Sequence, residues 1–201
     1  MKPTYSDKFT NVRPAKLDDR TLIAIGRLIR ACAEIEDLVN LFICNLAEIN
    51  ESRMVVMLGK TPISKRVEIA EYLAKLKSPN TAELADWAFN EGFWSTFRCR
   101  NTVAHGKLLG LSDDGAWSFI TAQTEVPDGP SASQLAASYS TSYIEAVANS
   151  AEATIPLIEE RLKLKAQREE RYTRPLRPHR KGLRQQNKGA KPSPPPQSSG
   201  A

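Results

Sequence analysis

DDRTLIAIGRLIRACAEIEDLVNLFICNLAEI, residues Asp18 to Ile49, decides the fold. Leu22, Ile25, Leu28, Ile29, Cys32, Ile35, Leu38, Val39, Phe42, Leu46 and Ile49 recur at the 3.6-residue period of an amphipathic helix. Asp18 and Asp19 stand where an N-cap belongs, because a short carboxylate can accept the unpaired first-turn N–H groups. A helix this long with one apolar stripe needs other helices to cover it. The expected fold class is therefore an all-α helical bundle.

The following sequence supplies the covering elements. A short apolar helix is expected over Ser52 to Leu58, stopping at Gly59. After Pro62, Ser64 can cap a helix that buries Val67, Ala70, Tyr72, Leu73 and Leu76. Pro79-Asn80 opens another, with Asn80 and Glu83 spaced as a capping box and Leu84, Trp87, Ala88, Phe93, Trp94 and Phe97 as its apolar set. It is expected to run unbroken to His105, with Gly106 as a left-handed C′ residue. LLGLSDDGAWSFITAQ reads as a small β-hairpin turning at Asp113-Asp114-Gly115, inserted before the last helix. Val126 to Ser133 is a Pro/Gly/Ser loop. Ser142 and Glu145 then form a second capping box, opening a helix toward Arg171 with a kink at Pro156.

Charge divides the chain. Of its 201 residues, 28 are Lys or Arg and 23 Asp or Glu, for a net charge of +5. From Ala166 onward stand nine basic residues against Glu169 and Glu170, together with six of the 13 prolines. Such a segment buries too little to offset its ordering entropy, so 166–201 is expected to be a disordered basic tail. It would hold phosphate non-specifically or serve solubility alone. Residues 18–165 form the helical domain, nearly neutral in charge, and 1–17 an N-terminal extension.

Several classes are excluded by what the residues lack. The longest apolar run, Met54 to Leu58, is far short of a bilayer span, and the first residues carry no secretory signal. Cys32, Cys44 and Cys99 match no zinc spacing, and His105 and His179 are the only histidines. A reduced cytoplasmic protein without metal or cofactor is expected. Gly59-Lys60-Thr61 resembles the end of a phosphate-binding loop, but the required first glycine is Met54.

One constellation carries chemistry: Phe97-Arg98-Cys99-Arg100-Asn101-Thr102-Val103-Ala104-His105-Gly106. Asn101 and His105, four apart, share a helix face, and Arg100 lies one residue earlier. The helix C-terminus suits cationic side chains. A guanidinium stabilises charge on a pentavalent phosphorus, and an imidazole moves the proton of a ribose 2′-hydroxyl or of the leaving oxygen. One histidine per folded body is awkward for two proton transfers, which a symmetric homodimer would resolve.

Arg100-Asn101-x3-His105 resembles the R-[polar]-x3-H signature of HEPN domains, helical domains of prokaryotic toxins and defence proteins. The resemblance covers about Asp18 to Arg171, and its sharp part is those six residues. It implies a metal-independent endoribonuclease with a composite site at a homodimer interface, leaving 2′,3′-cyclic phosphate and 5′-hydroxyl ends. Arg100 would stabilise the scissile phosphate, His105 act as base or acid, and Asn101 orient the site. RNA is the expected partner, with no membrane, and a toxin or antiphage effector would also meet a cognate antitoxin or regulatory partner.

Arg98, expected on a different face, and Lys107 are candidate substrate-binding cations. Glu34, Glu36 and Asp37 are candidates to pair with the motif arginine or orient His105, at least two of them being plain solvated carboxylates. Trp87, Trp94 and Trp117 fit base stacking or the core, and Cys99 a small buried hydrophobe. The rival reading is a non-catalytic HEPN-like scaffold holding RNA, a nucleotide or a protein; a DNA-binding regulator comes third.

Overall fold

The computed structural model of the chain describes residues 12–123 and 133–164. The expected basic tail with His179, and most of the Val126–Ser133 loop, lie outside the described residues. Helix α1 spans Asp19–Ala47, and Asp18 caps it: its carboxylate accepts from the Thr21 N–H at 2.7 Å. That bond, with a second from the Thr21 side chain, holds the Asp18 carboxyl below its ordinary pKa. Ile25, Leu28, Cys32, Ile35, Leu38, Val39 and Phe42 are buried as their period requires. Leu22 and Ile29, expected in the same stripe, are exposed at its margin. The helix ends at Glu48, whose φ of 55° is left-handed, so Ile49 lies beyond it.

Helix α2 (Glu51–Leu58) is capped by Asn50 and buries Met54. In α3 (Ile63–Lys77) the N-cap position is Pro62, with no side-chain bond, so Ser64 does not cap. Val67, Ala70 and Ala74 are the buried positions of α3, whereas Tyr72 and Leu76 are exposed. Small alanines at the seam take the place of the larger residues that hydropathy alone selects.

The helix expected from Pro79 to His105 is two helices, α4 (Pro79–Ala88) and α5 (Glu91–His105). Ser78, not Asn80, caps α4, its hydroxyl accepting from Thr81 N–H at 3.2 Å. Asn90 makes the break. Its carboxamide oxygen accepts from Gly92 N–H at 2.8 Å and Phe93 N–H at 3.3 Å, while its nitrogen donates to the Trp87 carbonyl at 2.8 Å. Asparagine favours caps and glycine is a poor helix former, so Asn90-Glu91-Gly92 ends one helix and starts the next.

The chain then forms a small antiparallel sheet before the last helix. Strands β1 (Val12–Arg13), β2 (Lys107–Ser112), β3 (Trp117–Gln123) and β4 (Ser133–Tyr139) lie in the order β1-β2-β3-β4. The expected hairpin is its central pair, with Leu111 opposite Trp117 and Gly115 at φ 79° in the turn. The Ser/Ala-rich sequence of β4 carries no strong strand pattern, and β1 draws Val12 and Arg13 into the sheet, earlier than the expected start at Asp18. Gly110, at φ 145°, lies so close to β1 that a Cβ would stand 2.0 Å from the Arg13 carbonyl oxygen.

Helix α6 (Thr141–Arg161) closes the bundle along α1. Ser140 caps it rather than Ser142, and Glu145, instead of completing a capping box, pairs with Arg20 at 2.6 Å. Glu152 likewise binds Arg27 at 2.5 Å and Arg30 at 3.0 Å. Pro156 lies within the helix, which ends at Arg161 rather than Arg171. Lys163, at φ 55°, turns the chain back so that Leu162 and Leu164 are buried. Trp117 ties sheet to helices: its indole N–H donates to the hydroxyls of Thr21 at 3.0 Å and Thr141 at 3.2 Å. Among the described residues no helix is long and apolar enough to cross a membrane.

Candidate active site

Helix α5 carries the motif, and its inner face is set by Phe93, Phe97, Cys99 and Val103, all buried. Phe93 and Phe97 pack at 4.7 Å between ring centroids, and burial of all four side chains fixes the helix rotation. That rotation turns Arg100 toward α1. Its Nη2 donates to Glu36 at 3.2 Å and its Nη1 to the Asn101 carboxamide oxygen at 2.8 Å. Glu36 also accepts from Arg66 of α3 at 3.0 Å, and Arg66 donates to Asn40 at 2.8 Å. One carboxylate thus serves two guanidiniums, and the trio keeps a net positive charge. The side chains of Arg66, Glu36 and Arg100 are 16%, 21% and 22% exposed. Both Nε atoms are buried without a hydrogen bond.

Asn101 is exposed and joins this cluster to the surface. With its oxygen engaged by Arg100, its nitrogen retains N–H donors for an anion. His105 is the last residue of α5 and exposed; among the described residues its ring makes no hydrogen bond given by the structure. Gly106 is not left-handed: at φ −71° and ψ 144° it is extended and leads directly into β2. Glycine is required there for room, since a Cβ would stand 2.3 Å from the Thr102 carbonyl oxygen and 3.2 Å from Phe119 Cβ.

The expected placement of Arg98 on a different face is corrected by the spacing on the observed helix. Arg98, Asn101 and His105 stand at i, i+3 and i+7 and share the exposed face, whereas Arg100 turns inward. Arg98 is 64% exposed and pairs with the still more exposed Glu91, an ion pair of little strength in water. Lys107 is exposed at the first position of β2. Arg66 and Asn40 have no signal in the sequence; they lie 34 and 60 residues before Arg100 in the chain, and only tertiary packing brings them near.

Trp117 is buried, Trp94 packs on Phe93 at 4.9 Å, and Trp87 carries the Arg161 guanidinium 4.0 Å from its ring centroid. All three are thus engaged within the fold. Cys32 and Cys99 are buried near the motif, and burial pushes their thiols up to about 12 and about 11. Among the described residues no three His, Cys, Asp or Glu side chains gather in a group able to hold a metal ion. No family model, curated protein or solved structure matches the chain.

Proposed function

We propose that this chain is a HEPN-like endoribonuclease of the cytoplasm, acting without a metal as a homodimer, in the role of a toxin or antiphage effector. The observation that carries the reading is the exposed row Arg98-Asn101-His105 backed by the cationic Arg66–Glu36–Arg100 cluster. The row offers an imidazole, amide donors and a guanidinium along one helix face, and the cluster adds positive potential behind it. In the proposed reaction one His105 takes the 2′-hydroxyl proton, O2′ bonds to phosphorus, and the P–O5′ bond breaks. His105 of the partner subunit gives its proton to the leaving oxygen, so the ends are a 2′,3′-cyclic phosphate and a 5′-hydroxyl. Asn101 and the guanidiniums carry the negative charge that develops on phosphorus. Arg98 and Lys107 hold the flanking phosphates.

The test is cleavage of a single-stranded RNA pool in EDTA. Wild type should cut it and His105→Ala should not. A wild-type protein that leaves the pool intact, with and without divalent metal, overturns the enzymatic reading. One observation favours the rival scaffold reading: both terminal nitrogens of Arg100 already have partners in Glu36 and Asn101. Tight RNA retention without cleavage in a gel shift would select that alternative.

A further inference from the structure

Outside the motif, a pair of rings, Tyr139 half-buried and Tyr143 exposed, stands beside it. Tyr139 at the end of β4 and Tyr143 in the first turn of α6 are stacked, with centroids 5.3 Å apart and planes 7° from parallel. The Tyr139 phenol lies toward Thr102, whose own hydroxyl donates to the Arg98 carbonyl at 3.0 Å. The pair therefore stands near α5 at the level of Arg98. Tyr143 is 43% exposed, and Ser140, accepting its N–H at 3.1 Å, fixes its backbone. Tyr139 covers one face of a stack whose outer ring remains open to solvent.

The outer ring of the stack leaves apolar area open to water. Beside them lies a cation, Arg98, which suits a phosphate backbone. The acidic neighbours are taken: Glu91 by Arg98 and Glu145 by Arg20. A planar ring with an attached anion matches both features, and an unpaired nucleotide is such a group.

We infer that Tyr143, backed by Tyr139, is a stacking platform for one unpaired base of a single-stranded RNA whose backbone runs along Arg98, Asn101 and His105. The inference rests on the proposed ribonuclease reading and adds its substrate form: single strands, recognised beside the scissile bond by an exposed base. Duplex RNA, whose bases are stacked internally, cannot present one.

The experiment measures fluorescence anisotropy of a short oligouridylate and of the same oligomer with abasic riboses, in a His105→Ala background that prevents cutting. Tyr143→Ala should weaken oligouridylate binding about tenfold, Tyr143→Phe should retain it, and neither should alter abasic-oligomer binding. Tyr143→Leu, which keeps apolar bulk without a π face, should behave as Tyr143→Ala and guards against a folding effect. If the parent binds RNA and Tyr143→Ala or Tyr143→Leu binds oligouridylate as tightly, the platform is overturned while the ribonuclease reading stands. If the parent binds neither oligomer, the RNA reading falls and the platform with it.

Discussion

Replacing Glu36 by Gln tests the cluster behind the motif. Glu36 accepts from Arg66 at 3.0 Å and from Arg100 at 3.2 Å, and all three side chains are about four-fifths shielded from water. Glutamine keeps the shape and removes the charge, leaving two guanidiniums to repel each other with no counter-ion between them. Breaking a fully buried pair this way costs about 3–5 kcal/mol; the residual exposure screens part of it, so about 2–3 kcal/mol is expected here. For a folded body of this size that is a fall in Tm of roughly 4–12 °C by calorimetry or circular dichroism. The triple replacement Arg66→Met, Glu36→Leu, Arg100→Met removes all three charges and should melt close to wild type, because apolar groups of similar volume replace buried ion triads at little cost. Cleavage separates the roles: Glu36→Gln, assayed well below its Tm, should still cut RNA, whereas Arg100→Met should lose about a hundredfold or more. A Glu36→Gln protein that melts with wild type refutes the claim that one carboxylate holds both arginines.

Three further outcomes follow from the packing. Thr21→Val removes the hydroxyl that accepts from the Trp117 indole and bonds Thr141 at 2.6 Å, so about 1–3 kcal/mol of stability should go, with altered Trp117 fluorescence; unchanged denaturant midpoints would refute the network. Cys32 and Cys99, their thiols raised to about 12 and about 11 by burial, should resist alkylation near neutral pH and react at the unfolded rate in denaturant. Rapid native labelling at either site, followed by mass spectrometry, would contradict their burial. Glu152 is held below its ordinary pKa chiefly by the Arg27 hydrogen bond, so its stabilisation is present above the usual carboxylate range and lost as pH falls through the lowered folded value. Wild type should therefore lose more Tm than Glu152→Gln between about pH 7 and about pH 3, and equal losses would sink the argument.

Legibility in the sequence followed the strength of the local signal. The α1 stripe and its Asp18 cap could be read directly, since both depend on residues within a few positions of one another. The helical bundle with strands before the last helix followed from the same periodicity and from the Asp113-Asp114-Gly115 turn. What escaped was decided between distant residues or between competing caps. Asn90, Ser78 and Ser140 hold the cap positions because their side chains accept first-turn N–H groups there, although the flanking apolar pattern runs on. Strand β4 is held by pairing with β3, not by its own Ser/Ala-rich residues. At the site, Arg100, Asn101 and His105 were legible as types and spacing, whereas Glu36 was one acidic residue among three and Arg66 had no local mark at all.

The spacing within the motif has a geometric consequence once its helix is fixed in the bundle. Five residues turn an α-helix by about 500°, so Arg100 and His105 point about 140° apart and cannot lie on one face. The phenylalanines of α5 settle which of them faces inward, and they choose Arg100. Its charge reaches the surface through Asn101, which accepts from Arg100 with one end and stands one turn from His105 with the other. An apolar residue at 101 would leave Arg100 and His105 on the helix and sever the link between them. The asparagine, a poor helix former near the end of a helix, is therefore held there by the connection it makes rather than by the backbone it serves.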